Sequence, residues 1–273
     1  MRSQFPNMWE SMNYAPEIAA MFDIPLCQEL FRRNAIPVAR SLPNIRNYDQ
    51  LREQMREMEC VGGSRGASHR VFVKLSHGSA ASGVVAYYTS PRGECAITTV
   101  ERVRENGQTL LYNSRKIRQY TRREEVADII NILTAEGVQV EEWLPKAYLQ
   151  GCQFDVPVVV INREAQHLVV RLGKSPMTNL RLGGDRGDTE QFLTKVGTEN
   201  WAAMKQTCEA AAALFPHSLY CGVDLLVAPD FKHHAILEIN AFGDLLPSII
   251  WQGMDTYTSE VKAMLERVNT RNL

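Results

Sequence analysis

The sequence predicts an α+β fold, because strands and helices intermix without the strict alternation of a doubly wound sheet. Two strand pairs carry that expectation. Val71-Phe72-Val73-Lys74-Leu75 and Val84-Val85-Ala86-Tyr87-Tyr88 are separated only by a loop of small residues. Residues 222–227 and 237–240 are separated by a turn at Pro229-Asp230. Both pairs read as hairpins. A chain of 273 residues suffices for one large domain or two modest ones sharing a cleft.

From the N-terminus, Ile18, Met21, Phe22, Leu26, Leu30 and Phe31 recur at helical spacing, predicting a helix over 15–35 that Pro25 interrupts. Ile36-Pro37-Val38 is a short extended segment. A second amphipathic helix covers 48–59, opened by Asn47 as its cap. Residues 60–68, rich in Gly and Ser, form a flexible connection. After the first strand pair, 95–112 holds further strands and 123–136 a helix ended by Gly137. Residues 138–144 return to strand before Pro145. Residues 154–162 and 167–172 pair as a hairpin turning at Asn162-Arg163, and 173–190 is a long loop. An Ala-rich helix at 200–215, the second hairpin and an amphipathic helix over 255–268 complete the chain, without internal repeats.

The formal net charge is −1, so no global field draws the chain to nucleic acid or to an anionic membrane. No window approaches the roughly 18 consecutive apolar residues of a membrane span. Met1-Arg2-Ser3-Gln4-Phe5-Pro6 lacks the apolar core of a signal peptide. The six cysteines are scattered, with no Cys-x-x-Cys and no His at zinc spacing, which fits reduced thiols in a cytoplasmic protein.

Chemistry concentrates in three places. Glu238 and Asn240 sit one strand repeat apart and project from one face, which Asp224 reaches from the neighbouring strand. Two carboxylates and an amide oxygen are hard ligands suited to magnesium among nucleotide phosphates. Lys74 ends an apolar strand and is followed by His77-Gly78-Ser79-Ala80-Ala81-Ser82-Gly83. Such a loop lets backbone N–H groups approach phosphate oxygens, with the lysine as a point charge; the bland alternative is an ordinary flexible hairpin. His77 could hydrogen-bond a phosphate. Glu141-Glu142-Trp143-Leu144 ends a strand where backbone groups could meet an adenine edge, with a carboxylate for ribose hydroxyls; a Glu pair is otherwise simply solvated.

The basic run Arg102, Arg104, Arg115, Lys116, Arg118, Arg122, Arg123 is either a solvated face or a surface for an acidic or phosphorylated peptide. Interleaved aromatics are few, which argues against nucleic acid.

Lysine with a small-residue loop, Glu-Glu-x-Leu, then Asp with Glu-x-Asn is an order that resembles the ATP-grasp superfamily. The resemblance covers roughly residues 20–265 and is most specific at 74–83, 175–184 and 222–240. Ser175-Pro176-Met177-Thr178-Asn179-Leu180-Arg181-Leu182-Gly183-Gly184 looks like a loop of ligases similar to ribosomal-protein glutamate ligase and glutathione synthetase. The resemblance implies two α+β subdomains gripping ATP, here without the family's usual N-terminal α/β domain. Residues 1–70 would be the N-terminal helical part, 71–142 the lid, and 143–273 the C-terminal subdomain with the metal site.

The resemblance further implies an ATP- and magnesium-dependent carboxylate–amine ligase, with manganese as a substitute ion, acting through an acyl phosphate on an amino acid or peptide. Lys74 would contact the ATP phosphates, under a loop 78–83 that closes over them. Glu141, Glu142, Trp143 and Leu144 would line adenine and ribose, and Asp224, Glu238 and Asn240 would hold the metal. Arg171, Lys174, Asn179 and Arg181 would surround the transferred phosphate and the oxyanion that follows. Asp244 would hold a substrate ammonium or merely stabilise a turn. The pattern departs from the family in two places. Residues 1–73 contain no lysine, leaving Arg40 or Arg46 for a conventional second cation, and Pro157 stands where the family often has Arg. Either a second subunit or a domain outside this chain would complete the substrate site, or the chain would be a naturally minimal member; a homo-oligomer is compatible. A kinase on the same fold and a non-catalytic nucleotide-binding subunit are the rival readings.

Overall fold

A computed structural model describes residues 11–62, 69–79, 81–242 and 248–271. The N-terminal periodicity forms two helices, α1 (Ala15–Met21) and α2 (Ile24–Arg33). The break falls at Phe22-Asp23 rather than at Pro25. Asp23 caps α2 by accepting from Leu26 N–H (3.0 Å), and Pro25 lies in the first turn, where a missing N–H loses no helical partner. After β1 (Ser41–Leu42), α3 (Tyr48–Gly62) is capped by Asn47, whose side chain accepts from Gln50 N–H (2.8 Å). α3 thus continues through Cys60–Gly62, part of the expected flexible connection, and 63–68 lies outside the described residues.

Next come β2 (His69–Leu75), β3 (Val85–Ser90), β4 (Gly93–Glu105), β5 (Gln108–Tyr120), α4 (Arg123–Ala135), β6 (Val138–Glu142) and β7 (Tyr148–Leu149). The strands expected to end at 112 run on to Tyr120. β5 is an edge strand, so both its faces carry polar residues and the period of two disappears from the sequence.

β8 (Cys152–Ile161) and β9 (Glu164–Leu168) turn through Asn162 and Arg163, both at positive φ (48° and 68°), the two-residue turn that matches strand twist. The return strand is split, with β10 (Arg171–Gly173) separate from β9. The expected long loop contains a 3-10 turn (Leu180–Leu182) and β11 (Asp185–Arg186). α5 (Thr189–Val196), capped by Asp188 through Gln191 N–H (3.0 Å), precedes α6 (Thr198–Ala213). Only Phe192 and Val196 of α5 are buried, too few to declare a helical period. β12 (Tyr220–Val227), β13 (His234–Asn240) and α7 (Thr256–Arg271) close the chain, and Asp255 accepts from Thr258 N–H (2.7 Å) to cap α7.

The chain divides into two compact units, each discontinuous in sequence: Met1–Val38, Asp155–Val170 and Gly187–Leu273, and Ala39–Phe154 with Arg171–Arg186. The second unit holds an antiparallel sheet of order β1-β6-β2-β3-β4-β5. Val71, Val73, Val85, Tyr87 and Val140 on one face pack against Leu51 and Met55 of α3 and Ile129, Ile130 and Leu133 of α4. In the first unit β12 pairs antiparallel with β8 on one side and β13 on the other, and β9 adds to β8. α6 covers one face, burying Met204, Cys208 and Ala211, and Val159, Ile161 and Val169 meet Ala263 of α7 on the other. The described cysteines, Cys27, Cys95, Cys152, Cys208 and Cys221, are free thiols. No helix among the described residues is long and apolar enough to cross a membrane.

Candidate functional site

In the six-stranded sheet, strand alternation sends Val71 and Val73 into the core and leaves Arg70, Phe72 and Lys74 on the other face. β6 lies beside β2 with Phe72 opposite Glu141 and Lys74 opposite Gln139. Glu141 therefore stands diagonal to Lys74, and the two form an ion pair whose side chains are 2% and 12% exposed. Glu141 Oε1 meets Lys74 Nζ, while Glu141 Oε2 is buried without a hydrogen-bond partner. Trp143 stacks at a tilt on Phe72, centroids 5.1 Å apart, and the Arg70 guanidinium lies over the Trp143 ring at 5.6 Å. A flat apolar wall, a half-buried cation and a carboxylate with one unpartnered oxygen thus share a face. Alternation sends Glu142 to the opposite side, opposite Val71, with its N–H donating to Arg40 O (2.8 Å). Leu144 is half-buried just past Trp143, before Pro145.

The loop that follows Lys74 folds through short turns: Gly78 N–H donates to Leu75 O (3.2 Å) and Ser82 N–H to Ser79 O (2.9 Å). Thr99 Oγ1 of β4 donates to Ala81 O (2.8 Å) and ties the loop to the sheet. Gly83 has φ +68°, and a Cβ there would come within 2.7 Å of Leu75 Cδ1. Glycine is required at that point on both counts. His77 and Ser79 are exposed at the loop's outer edge.

Residues 173–184 form a closed loop. Asn179 Oδ1 accepts from Arg181 N–H (2.8 Å), and Asn179 O accepts from Leu182 and Gly184 N–H (3.0 and 3.2 Å). A Cβ on Gly184 would meet Leu172 O at 2.7 Å, so the loop closes on its own base. Asn179 spends its side-chain oxygen on this fold and keeps its amide N–H groups. Arg171 is half-buried in β10, while Lys174 and Arg181 are exposed on the loop. Lys146 is absent from the sequence expectations but belongs here. It is 5% exposed, and its Nζ donates to Thr178 Oγ1 (2.6 Å) and lies 3.4 Å from Pro176 O. A lone lysine inside Leu144-Pro145-Lys146-Ala147, just after the Glu-Glu motif, is the signal that could have marked it.

In the other unit, Asp224 and Glu238 are direct cross-strand partners, and Asn240 stands opposite Gly222. All three side chains are half-buried. Asn240 Nδ2 donates to Glu238 Oε1 (2.9 Å), so half a turn of the amide would present Oδ1 in its place. The bulge between Asp224 and Leu225 falls at this point of the ladder. Among the described residues no group of three or more His, Cys, Asp or Glu is gathered for a metal, so the cluster offers two carboxylates and one amide. Burial first, then the charges of Asp23 and Glu238, push the nearby Cys27 thiol up to about 12, leaving it inert. Asn13, 3% exposed, fixes the chain just past Asn240: its Nδ2 donates to Ala241 O (2.6 Å), and its Oδ1 accepts from Leu219 and Tyr220 N–H (3.0 and 3.2 Å). Asp244 lies outside the described residues.

Much of the basic run is paired locally. Arg102 binds Asp128, Arg118 binds Glu101, Arg122 binds Glu125, and Arg123 lies over the Tyr48 ring at 5.6 Å. These contacts favour the solvated-face reading of the run.

No protein-family model matches the sequence, and no curated protein sequence matches it. Solved structures do match in fold. The ATP-grasp ligase PsnB complexed with minimal precursor is 16% identical, with 93% of this chain and 62% of that chain covered at a TM-score of 0.51. The macrocyclase MdnC from Microcystis aeruginosa MRC, bound with precursor peptide MdnA, is 11% identical, with 97% and 67% covered at 0.54. N5-carboxyaminoimidazole synthase from Aspergillus clavatus, in complex with ADP and 5-aminoimadazole ribonucleotide, is 12% identical, with 93% and 53% covered at 0.54. At such identities the likeness is one of architecture. The chain has the ATP-grasp fold, and it spans 62% of the length of PsnB.

Proposed function

We propose that this chain is an ATP- and Mg2+-dependent ligase that joins a carboxylate to an amine through an acyl phosphate, with an amino acid or peptide as one substrate. The observation that carries the reading is the buried Lys74–Glu141 pair beside the Phe72–Trp143 wall, in an ATP-grasp fold. Phe72, Trp143 and Leu144 offer apolar surface to a purine, and Glu141 Oε2 is an acceptor without a protein partner. Lys74 and the backbone of the loop 78–83 are suited to phosphate oxygens. PsnB and MdnC were solved with precursor peptides and the Aspergillus synthase with ADP, which favours a peptide substrate and ADP as product.

The donor set of Asp224, Glu238 and Asn240 fits a hard cation that takes few protein oxygens and fills its shell with water and phosphate. These three residues would hold Mg2+, or Mn2+ in its place, and the ion would neutralise charge on the transferred phosphate. The chain's own cations, Arg171, Lys174 and Arg181, are suited to the oxyanion formed when an amine attacks the acyl carbon. The Asn179 amide N–H groups are suited to the same charge. In that step the C–N bond forms, the C–O bond to phosphate breaks, and the amine proton leaves.

The test is release of ADP and phosphate from ATP against amino acids and short peptides, singly and in pairs. A product lighter by one water than the sum of a particular pair supports the ligase. Phosphorylated product without amide would make the chain a kinase, and ATP binding without any turnover would make it a nucleotide-binding subunit.

A further inference from the structure

α7 is built inside out. A surface helix normally buries its apolar stripe. Here Tyr257, Val261 and Leu265 are 56%, 52% and 60% exposed, while Thr256, Ser259 and Glu260 are 1%, 4% and 4% exposed. The buried three lie three and four residues apart, on the face that continues to Ala263 and meets Val159, Ile161 and Val169. Thr256 Oγ1, Ser259 Oγ and Glu260 Oε1 are buried without a hydrogen-bond partner, as are Gln166 Oε1 and His167 Nδ1 of β9. Native structures leave only a few such atoms per hundred residues, and here five belong to α7 and the β9 residues Gln166 and His167.

The sheet register sets the strand side of this cluster. Tyr220 stands opposite Ile161, and Ile161 opposite Glu164, so all three share the face under α7. Gln166 follows Glu164 by one strand repeat and donates to its Oε2 (3.3 Å). Tyr220 also feels the charges of Glu260 and Tyr257, which locates Glu260 over this face. His167 borders the cluster, its Nε2 3.0 Å from Met254 O. A carbonyl only accepts, so Nε2 carries a proton, and in that tautomer Nδ1 is an acceptor.

The cluster is therefore rich in acceptors: an amide oxygen, a carboxylate oxygen, two hydroxyls and an imidazole nitrogen. Among these groups only the hydroxyls, and the Glu260 carboxyl while it holds its proton, could donate inward. We propose that Glu260, Gln166, Ser259 and Thr256 form a buried site for one univalent cation, either a potassium-sized metal ion or ammonium. One carboxylate supplies one negative charge, which a univalent ion cancels; a divalent ion would leave net charge buried. The N-terminal end of a helix repels cations, but Asp255 caps α7 there and carries the opposing charge. Glu260 also gains from this arrangement, because burial alone pushes its carboxyl up to about 7.

The experiment is thermal melting of the whole chain at pH 8 in choline, sodium, potassium and ammonium chlorides at equal ionic strength. The site predicts a saturable rise in Tm with one of these cations over choline, roughly 5 °C at a hundred times its dissociation constant. Potassium against ammonium separates the two sources of the same charge. Glu260→Gln should abolish the cation response, and Ser259→Ala should weaken it, which keeps the test informative if the first variant folds poorly. Equal melting in all four salts, or an undiminished response in Glu260→Gln, would overturn the proposal and leave the cluster filled by water only.

Discussion

Asp224 and Glu238 face each other across β12 and β13, two carboxylates fixed in register on a rigid hairpin. Like charges directly opposite destabilise a sheet unless a cation or donor lies between them. Asn240 Nδ2 supplies one donor, 2.9 Å from Glu238 Oε1. A metal ion between the two carboxylates would relieve the repulsion that remains. Glu238→Gln is expected to abolish substrate-dependent ADP release and to remove any rise in Tm caused by Mg2+ with ATP. Without metal, the variant should melt at or above the parent temperature, because one repelling charge is gone. Normal turnover in Glu238→Gln would sink the metal assignment.

Lys74 and Glu141 make a second test. Truncating one partner of a buried ion pair typically costs about 3–5 kcal/mol, since the other charge is left without compensation. Lys74→Met should therefore lower stability strongly and weaken ATP binding. The double variant Lys74→Met with Glu141→Gln should recover most of the stability and none of the ATP affinity. A double-variant cycle by denaturant unfolding and nucleotide titration separates the two effects. Recovery of ATP binding in the double variant would remove Lys74 from the nucleotide site.

The strand hairpins and the helix caps were legible because they rest on local chemistry. Asn47, Gly137 and Asn162-Arg163 act on residues within one turn of themselves, and each marks the boundary its residue type implies. Edge strand β5 was not legible, because charges on both faces erase its period, and neither was α5, which buries only two residues. In the candidate site, Asp224, Glu238 and Asn240 could be placed on one face by counting, since a strand period is short and the turn at Pro229-Asp230 is plain. Lys146 could not. Its role depends on Thr178, which lies 32 positions further along the chain and reaches it only after the 173–184 loop has closed. The inverted face of α7 was hidden for a related reason: the sequence shows an amphipathic helix but not which side the sheet covers.

Gly83 joins the small-residue loop 77–83 to β3. With φ at +68° and Leu75 Cδ1 within 2.7 Å of a would-be Cβ, Gly83→Ala has to strain the backbone and displace Leu75 together. A loss of about 1–2 kcal/mol is expected from the conformational term, with packing adding to it. If the loop serves phosphate, the KM for ATP should rise more than the KM for the other substrates. Equal changes in all KM values would instead indicate a general loss of folded protein.

Glu260 supplies the clearest pH dependence. Burial raises its carboxyl from the ordinary 4.5 to about 7, so between those values the folded chain holds a proton that the unfolded chain releases. The contribution to stability is complete below pH 4.5 and is lost as pH rises through 7, amounting to about 3 kcal/mol for a shift of this size. In choline buffer, Tm should fall between pH 5 and pH 8. Glu260→Gln should flatten that fall, which assigns it to this carboxyl. Tyr220 also faces the carboxyl, and burial first, then the charges of Glu260 and Tyr257, raise it above its ordinary value, away from this window. A cation bound beside Glu260 pairs with the carboxylate and favours its ionised form, so the fall should shrink in the salt that raises Tm. A decline unchanged by Glu260→Gln would assign the titration to another group and show that the buried carboxyl is not held neutral.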